Sequence, residues 1–236
     1  MNIVVTGASK GIGRELVKIL SNDNHKILAI SRNEQLLLSL CTESNISGSE
    51  DRVFGFPFDL LDLGTKKDDF LAEVKSRFDY IDILINNAGY LSNKAFEAIL
   101  PEDMKQTLGV NYTAPLLTIQ SLLPLLKNSK HAHVLNIGTM GGVQGSSKFP
   151  GLSIYSSSKA ALATLTECLA EEYKESKISF NYLALGAVQT EMLEEAFPGY
   201  KAPLSAKEMA EFISDFAING QRFFNGKILP VSISTP

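Results

Sequence analysis

The chain has 236 residues, of which 44% are hydrophobic, and a formal net charge of −4 at pH 7. This length suits one large α/β domain, and the mildly acidic balance argues against a nucleic-acid-binding surface. No apolar run could span a membrane and no signal-sequence pattern is present, so we expect a cytoplasmic protein without membrane contact. The two cysteines and three histidines lack ligand spacing, so no metal site is expected.

Short apolar runs alternate with stretches of helical periodicity from end to end. The predicted strands are 2–6, 26–31, 52–56, 81–86, 132–138, 178–184 and 227–232. The predicted helices are 11–22, 33–44, 65–77, 101–127, 155–174 and 205–218. This alternation indicates βαβ units. We therefore predict an α/β fold with a single domain over residues 1–236: a doubly wound (Rossmann) parallel sheet of about seven strands, with helices on both faces.

The run TGASKGIG at residues 6–13 joins the first predicted strand to the first predicted helix. Gly7 permits a tight turn, Gly11 lets the backbone approach a pyrophosphate, and Gly13 lets the helix pack closely on the strand. The start of the helix then offers free N–H groups to phosphate. The context indicates a dinucleotide site, and the alternative is a plain glycine-rich turn.

The second predicted strand ends at Ser31-Arg32, where folds that bind NAD usually carry an acidic residue for the ribose. Ser31 has no carboxylate to repel a 2′-phosphate, and Arg32 can form a charge-assisted pair with one. Lys10, in the neighbouring loop, can supply a second cation. The pattern favours NADP over NAD, and the alternative is that Lys10 and Arg32 are solvated surface cations.

Two more segments follow predicted strands at the expected cofactor crevice. The carboxylate of Asp59 either accepts a hydrogen bond from an adenine amino group or caps a helix. The sequence NNAG at residues 86–89 either lets the backbone approach a ligand or forms a turn.

Tyr155 and Lys159 are four residues apart in a predicted helix, so they share one face about one turn apart. A free tyrosine has a pKa of about 10, and a nearby ammonium group lowers it. Tyr155 can therefore exchange a proton with a carbonyl substrate, with Lys159 lowering its pKa. Such a pair is usually a surface pair, but the small residues around it leave room for a flat ligand or a close helix.

Reduction of a carbonyl also needs a hydroxyl group that polarises the carbonyl oxygen. Thr139, at the end of the fifth predicted strand, is the first candidate, and Ser146 and Ser147 compete with it. Asn111 lies in the weakest part of the long predicted helix 101–127, where Gly, Thr and Pro are unfavourable. A local break there would free backbone carbonyls to hold water.

These motifs, in this order, resemble the short-chain dehydrogenases/reductases over nearly the whole chain. The resemblance implies that Tyr155 is the catalytic acid/base, that Lys159 binds the nicotinamide ribose, and that Asn111 holds a water in a proton relay. It places Thr139 at the usual serine position. The cofactor-binding residues that it implies are Gly7, Ser9, Lys10, Gly11, Ile12, Gly13, Ser31, Arg32, Asp59, Leu60, Asn87, Ala88, Gly89, Tyr155, Lys159, Gly186, Val188 and Thr190.

The chain departs from the family pattern at several points. Leu185-Gly186 replaces the usual Pro-Gly, the segment from Thr139 to Tyr155 is longer than usual, and the region 191–204 is short, which predicts an open substrate pocket. The resemblance implies an NADP-dependent oxidoreductase that interconverts a small-molecule carbonyl and a secondary alcohol, as a homodimer or homotetramer through the helices near 101–127 and 155–174. The alternatives are a non-redox enzyme on this fold, such as an epimerase or dehydratase, and a non-catalytic NADP-sensing protein.

Overall fold

The computed structural model describes residues 1–45 and 51–233, and its centre is a seven-stranded, wholly parallel sheet. Its strands are β1 (Asn2–Thr6), β2 (Lys26–Ser31), β3 (Val53–Pro57), β4 (Ile83–Asn86), β5 (Ala132–Thr139), β6 (Ile178–Leu185) and β9 (Lys227–Val231). Their spatial order is β3-β2-β1-β4-β5-β6-β9. Strands β1 to β3 are added toward one edge of the sheet and strands from β4 onward toward the other edge, so the topological switch point lies between β1 and β4. The predicted doubly wound parallel fold is confirmed.

Helices cover both faces of this sheet, and all except α7 lie close to the predicted positions. They are α1 (Gly11–Asn22), α2 (Glu34–Ser44), α3 (Lys67–Arg77), α4 (Pro101–Leu108), α5 (Ala114–Lys127), α6 (Ser153–Glu172), α7 (Glu191–Ala196) and α8 (Ala206–Asn219). Alternate residues of β1 enter different cores: Ile3 and Val5 pack in the core that α1, α2 and α8 cover, and Val4 packs in the core of α3 and α5. Burial on both faces explains why the strands read as continuous apolar runs.

The single helix predicted over 101–127 is wrong in one respect: it is two helices joined by a π-helical segment, Gly109–Thr113. The amide of Ala114 donates to the carbonyl of Gly109, five residues back. Pro115 has no amide hydrogen, so it cannot make the ordinary bond to the carbonyl of Asn111. The break falls where the sequence predicted the weakest helix.

The segment after β6 contains structure that the sequence did not indicate. Two two-residue strands, β7 (Val188–Gln189) and β8 (Leu204–Ser205), pair in parallel as a separate small sheet. Between them lies the short helix α7, capped by the Thr190 hydroxyl, which accepts from the amide of Leu193 at 3.3 Å. This segment, residues 188–205, stands at the carboxyl end of the main sheet and is called the lid below.

His133 lies near the amino end of β5, at the opposite end of the sheet from the lid, and it links β5 to α8 and β6. Its Nδ1 lies 2.9 Å from the carbonyl of Ala217 on α8, and its Nε2 lies 3.0 Å from Nδ2 of Asn181 on β6. These contacts suit a neutral ring that donates from Nδ1 and accepts at Nε2. Burial lowers the pKa of His133 from 6.5 to about 4.

The free energy of unfolding should therefore fall as the pH drops from about 6.5 to about 4. In that window the unfolded chain binds a proton at His133 that the folded protein excludes. Protonation of the unfolded chain therefore lowers the free energy of unfolding by up to about 3 kcal/mol. Urea unfolding at several pH values measures the loss. A His133→Gln variant should show a smaller loss between pH 6.5 and 4.5, and equal slopes for both proteins would contradict the assignment.

The described part of the chain has no helix that is long and apolar enough to cross a membrane. Within residues 1–45 and 51–233, no group of three His, Cys, Asp or Glu side chains is arranged to hold a metal ion.

Candidate active site

The crevice between the carboxyl ends of β1 and β4 begins at the glycine-rich loop. Gly7 has φ +66°, and a Cβ there would lie 2.7 Å from the Cα of Ala88. A Cβ on Gly13 would lie 2.2 Å from the carbonyl oxygen of Gly7. Larger residues would therefore push the loop away from both β4 and α1.

Asn87 fastens this loop to the end of β4. Its Nδ2 donates to the carbonyls of Thr6 and Gly7 at 3.1 and 3.2 Å. The amide of Ala88 donates to the Thr6 hydroxyl at 3.1 Å. Asn87 and Ala88, both predicted at the cofactor site, thus fix the loop that would hold the pyrophosphate.

The amino end of α1 faces an open groove of about 540 Å³. Gly11 and Thr190 both line it and lie close together, since a Cβ on Gly11 would come within 3.3 Å of the Thr190 methyl group. Lys10, at the N-cap position, makes no side-chain hydrogen bond to the helix. Ser9 is half-buried in the loop, while Ile12 packs on the core beneath the groove. Arg14 and four glutamates (Glu15, Glu191, Glu194 and Glu195) also line the groove, so its lining is mainly acidic and does not itself fit a phosphate. The donors that fit a dinucleotide phosphate are the backbone amides of the loop and of the start of α1.

Ser31 ends β2 next to this loop. It is 9% exposed, and its hydroxyl has no hydrogen-bond partner among the described residues. Lys10 and Arg32 are exposed at the same end of the sheet. Within the described residues neither cation has an ion pair, whereas Arg14 is held by Glu43. Two unpaired cations beside an unpartnered buried hydroxyl fit the 2′-phosphate of NADP.

Asp59 is engaged in local structure. Its Oδ1 accepts from the amide of Leu61 at 3.0 Å and caps a short 3₁₀ helix, Leu60–Gly64. Leu60 packs on the core below it. The capping alternative for Asp59 is thus observed, and its contact with adenine stays a prediction.

Lys159 reaches the crevice from α6. It is 3% exposed, and its Nζ donates to the carbonyl of Ile137 on β5 at 2.9 Å. Burial lowers the pKa of Lys159 to about 8. The surface-pair alternative is therefore wrong for Lys159, whose ammonium group is held inside the protein.

Tyr155 lies one turn before Lys159 on the same helix and is half-buried. Burial raises the pKa of Tyr155 to about 12. The expected lowering by Lys159 is not seen, because desolvation of the phenol dominates and the ammonium group is directed to Ile137. In this state Tyr155 carries its proton at neutral pH.

Asn111 lies in the π-helical segment and is fully buried. Its Oδ1 accepts from the amide of Tyr90, and its Nδ2 donates to the Tyr90 carbonyl, each at 2.8 Å. Nδ2 also contacts the Ser158 hydroxyl at 3.0 Å, and Ser158 donates to the carbonyl of Tyr155 at 2.7 Å. Ser158 is one of the small residues between Tyr155 and Lys159, and no pattern in the sequence indicated this link.

Gly89 marks the point where these elements meet. A Cβ there would lie 3.7 Å from Oδ1 of Asn111, 3.8 Å from Nζ of Lys159 and 3.7 Å from Cε of Met192 on α7. The structure thus brings together three distant parts of the chain. Met192 belongs to the lid, and no pattern in the sequence indicated it.

Thr139 ends β5, and the turn after it packs on α6 beside Tyr155. Its Oγ1 accepts from the amide of Gly141 at 3.3 Å, and a Cβ on Gly141 would lie 3.0 Å from the Ser156 hydroxyl. Ser146 instead turns its hydroxyl to the carbonyls of Met140 and Val143.

The two competing serines sit differently from Thr139. Ser146 also accepts from Nζ of Lys148 at 2.7 Å, and Ser147 is exposed. Thr139 at the end of β5 therefore stays the first candidate for the polarising hydroxyl, because Ser146 is engaged in its own loop and Ser147 is exposed.

Gly186 and Val188 shape the start of the lid. The amide of Gly186 donates to the carbonyl of Val231 at 2.9 Å, which ties the turn after β6 to β9. Val188 is 6% exposed and packs in the core. Leu185-Gly186 thus makes the turn without the usual proline.

A glycine-lined helix start and a Tyr-Lys pair, both at the carboxyl end of one parallel sheet, are the arrangement of doubly wound α/β proteins that bind dinucleotides. The chain belongs to the short-chain dehydrogenase family, whose family model, described as short chain dehydrogenase, matches residues 1–201.

One similar protein supports the family by sequence, and two solved structures share the fold. Dehydrogenase/reductase SDR family member 7B of Mus musculus is 31% identical over 192 residues, which is 80% of this chain and 58% of that protein. The chain therefore spans little more than half the length of this relative. A short-chain dehydrogenase of Escherichia coli CFT073, solved with NADPH, has a TM-score of 0.88 and 25% identity, covering 97% of this chain and 95% of that one. The 3-ketoacyl-(acyl-carrier-protein) reductase of Brucella melitensis, solved with NADH, has a TM-score of 0.85 and 23% identity, covering 98% and 96%.

Proposed function

We propose that the protein is an NADP(H)-dependent oxidoreductase that interconverts a carbonyl and a secondary alcohol. The observation that carries the proposal is the meeting of Asn111 and Lys159 at Gly89, with Tyr155 one turn away on α6. Tyr155 is a half-buried phenol that keeps its proton, and it would donate this proton to a carbonyl that accepts hydride once the Lys159 ammonium group lowers its raised pKa.

The residues of the crevice fit the cofactor. Gly7 and Gly13 keep the loop clear of side chains, and the start of α1 offers amide donors to the pyrophosphate. Ser31, Arg32 and Lys10 would hold the 2′-phosphate. When bound, NADPH supplies the hydride.

The protein's own groups would handle the proton and the substrate oxygen. Tyr155 donates its phenolic proton to the oxygen that develops negative charge. Lys159, with a pKa of about 8, is largely cationic at pH 7 and stabilises that charge. Thr139 would donate to the same oxygen and fix its position.

We propose one domain over residues 1–236, a cytoplasmic location and a homodimer or homotetramer. Two free thiols, Cys41 and Cys168, are compatible with a reducing compartment. Analytical ultracentrifugation of the purified protein measures the oligomeric state.

An NADPH oxidation assay with a panel of aldehydes and ketones tests the reaction. Consumption of NADPH with stoichiometric formation of alcohol is the expected result. Substrate turnover without net NADPH consumption would instead establish an epimerase or dehydratase. Tight NADPH binding without turnover across the panel would establish a sensing protein.

Cofactor choice should depend on Arg32. An Arg32→Ala variant should bind NADPH about 10- to 100-fold more weakly, because a charge-assisted contact to the 2′-phosphate is worth about 1.5–3 kcal/mol. NADH binding should change little, since NADH lacks that phosphate. Fluorescence titration with each nucleotide measures both dissociation constants.

Arg222 provides a matched control for this substitution. It is also exposed, and its guanidinium lies 5.7 Å from the ring of Phe223, near the opposite edge of the sheet. Arg222→Ala should leave both dissociation constants unchanged. An equal loss of NADPH and NADH affinity in Arg32→Ala would contradict the NADP assignment.

A further inference from the structure

Tyr182 is a wholly buried phenol on β6 to which neither the sequence motifs nor the proposed reaction gave a role. It belongs to a small cluster with Met140, Leu162 and Ala163, between the turn after β5 and the helix α6. It therefore lies directly beneath the elements that carry Thr139 and Tyr155.

Gly138 provides the space for this ring. A Cβ built on Gly138 would lie 1.7 Å from both Cζ and the hydroxyl oxygen of Tyr182. Any side chain at position 138 would therefore displace the phenol. The absence of a side chain at Gly138 on β5 and the size of Tyr182 on β6 are therefore complementary.

The Tyr182 hydroxyl accepts a hydrogen bond from the backbone amide of Thr139 at 3.1 Å. On β5 the amide of His133 points to the β4 side, where it donates to the carbonyl of Asp82. Backbone amides alternate in direction along a strand, so the amide of Thr139, six residues on, also points to the β4 side. However, β4 ends at Asn86, which pairs with Asn136, so no residue of β4 lies opposite Thr139. The phenol thus replaces a strand partner that is missing beside Thr139.

We propose that Tyr182 is a positioning residue that holds the backbone of Thr139, so that the Thr139 hydroxyl meets the substrate oxygen. This inference rests on the proposed function and adds to it the element that fixes the polarising hydroxyl. Strand pairing with β6 continues to Leu185, but the phenol is the side chain that takes the Thr139 amide. Burial raises the pKa of Tyr182, so the phenol stays neutral and keeps a lone pair for this amide.

The test is a Tyr182→Phe variant, which keeps the ring and removes the acceptor. Its kcat for carbonyl reduction should fall about 10-fold, because a small displacement of a polarising group is costly in rate. The dissociation constant for NADPH should not change. Tyr173→Phe, the same chemical change at the carboxyl end of α6, should have wild-type kcat.

A double-mutant cycle shows whether Tyr182 acts through Thr139. In a Thr139→Ala background, Tyr182→Phe should lower kcat no further, since the hydroxyl to be positioned is already gone. An unchanged kcat in the single variant, or an equal 10-fold loss in both backgrounds, would overturn the proposal.

Hydrogen exchange tests the contact independently of turnover. In ¹⁵N-labelled protein, the amide of Thr139 should exchange at least about 10-fold faster in Tyr182→Phe than in the wild type. Unchanged exchange would overturn the inference even if catalysis is lost. If the wild-type protein reduces no carbonyl, the proposed function fails, and the exchange rate still decides whether Tyr182 holds this amide.

Discussion

A Tyr155→Phe variant is expected to lose at least about 100-fold in kcat for carbonyl reduction while it still binds NADPH. The phenol is the proton donor in the proposed reaction, and a positioned acid is worth about 10²- to 10⁴-fold in rate. Burial raises its pKa to about 12, so the wild-type group is in the donating form throughout the neutral range. Single-turnover rates with saturating NADPH measure the loss.

The loss of kcat should come from the missing hydroxyl and not from a change in folding. Phenylalanine fills the same half-buried space, so thermal unfolding of Tyr155→Phe should match the wild type within a few degrees. Tyr80→Phe, at an exposed position before β4, is the control for the chemical change. Near-normal turnover by Tyr155→Phe on a substrate that the wild-type protein reduces would show that another group donates the proton.

The sheet was predictable because its strands are buried on both faces. Runs such as Ile3-Val4-Val5 carry apolar side chains into both cores, and alternating helical stretches separate them. The predicted strand limits agree with the observed ones within two residues, for example 81–86 against Ile83–Asn86. The glycine-rich loop was equally readable, because its position after the first strand determines what it can do.

The lid was not predictable, because its elements are too short to show a period. β7 and β8 have two residues each, and α7 has six. Elements of this size depend on contacts with other parts of the chain. One of these is the hydrogen bond from Nδ2 of Asn93 to the carbonyl of Ala196, which ties the lid to the loop after β4.

Within the site, the sequence indicated candidate residues better than it indicated their environments. Tyr155 and Lys159 were predicted from residue type and spacing, and the role of Asn111 was predicted from the family resemblance. The carbonyl of Ile137, which takes the Lys159 ammonium group, and the hydroxyl of Ser158, which joins Asn111 to α6, are set by tertiary packing. The pKa of Tyr155 was expected in the wrong direction, because spacing along a helix contains no measure of desolvation.

The hydroxyl at Thr139 is expected to be worth about 100-fold in kcat. Thr139 stands at the end of β5, where its backbone is paired with β6 and its amide donates to Tyr182, and misplacement of a polarising group costs about that much in rate. Thr139→Ala should therefore lose most of kcat, and Thr139→Ser should retain it. The affinity for NADPH should be the same in both variants. Steady-state kinetics with NADPH and the best carbonyl substrate measure the difference.

Ser146→Ala is the matched control, because it removes a hydroxyl that the structure directs to the carbonyls of Met140 and Val143. It should change kcat little. Thr139→Ala also removes the hydroxyl that accepts from the Gly141 amide. The loss of such a cap lowers the free energy of unfolding by about 1 kcal/mol. The kcat values are therefore compared well below the unfolding temperature. A large loss of kcat in Ser146→Ala, together with a near-normal kcat in Thr139→Ala, would assign the polarising hydroxyl to the loop between Thr139 and Tyr155. It would also remove the reason for a catalytic effect of Tyr182, since the strand end that Tyr182 holds would no longer carry the reacting group.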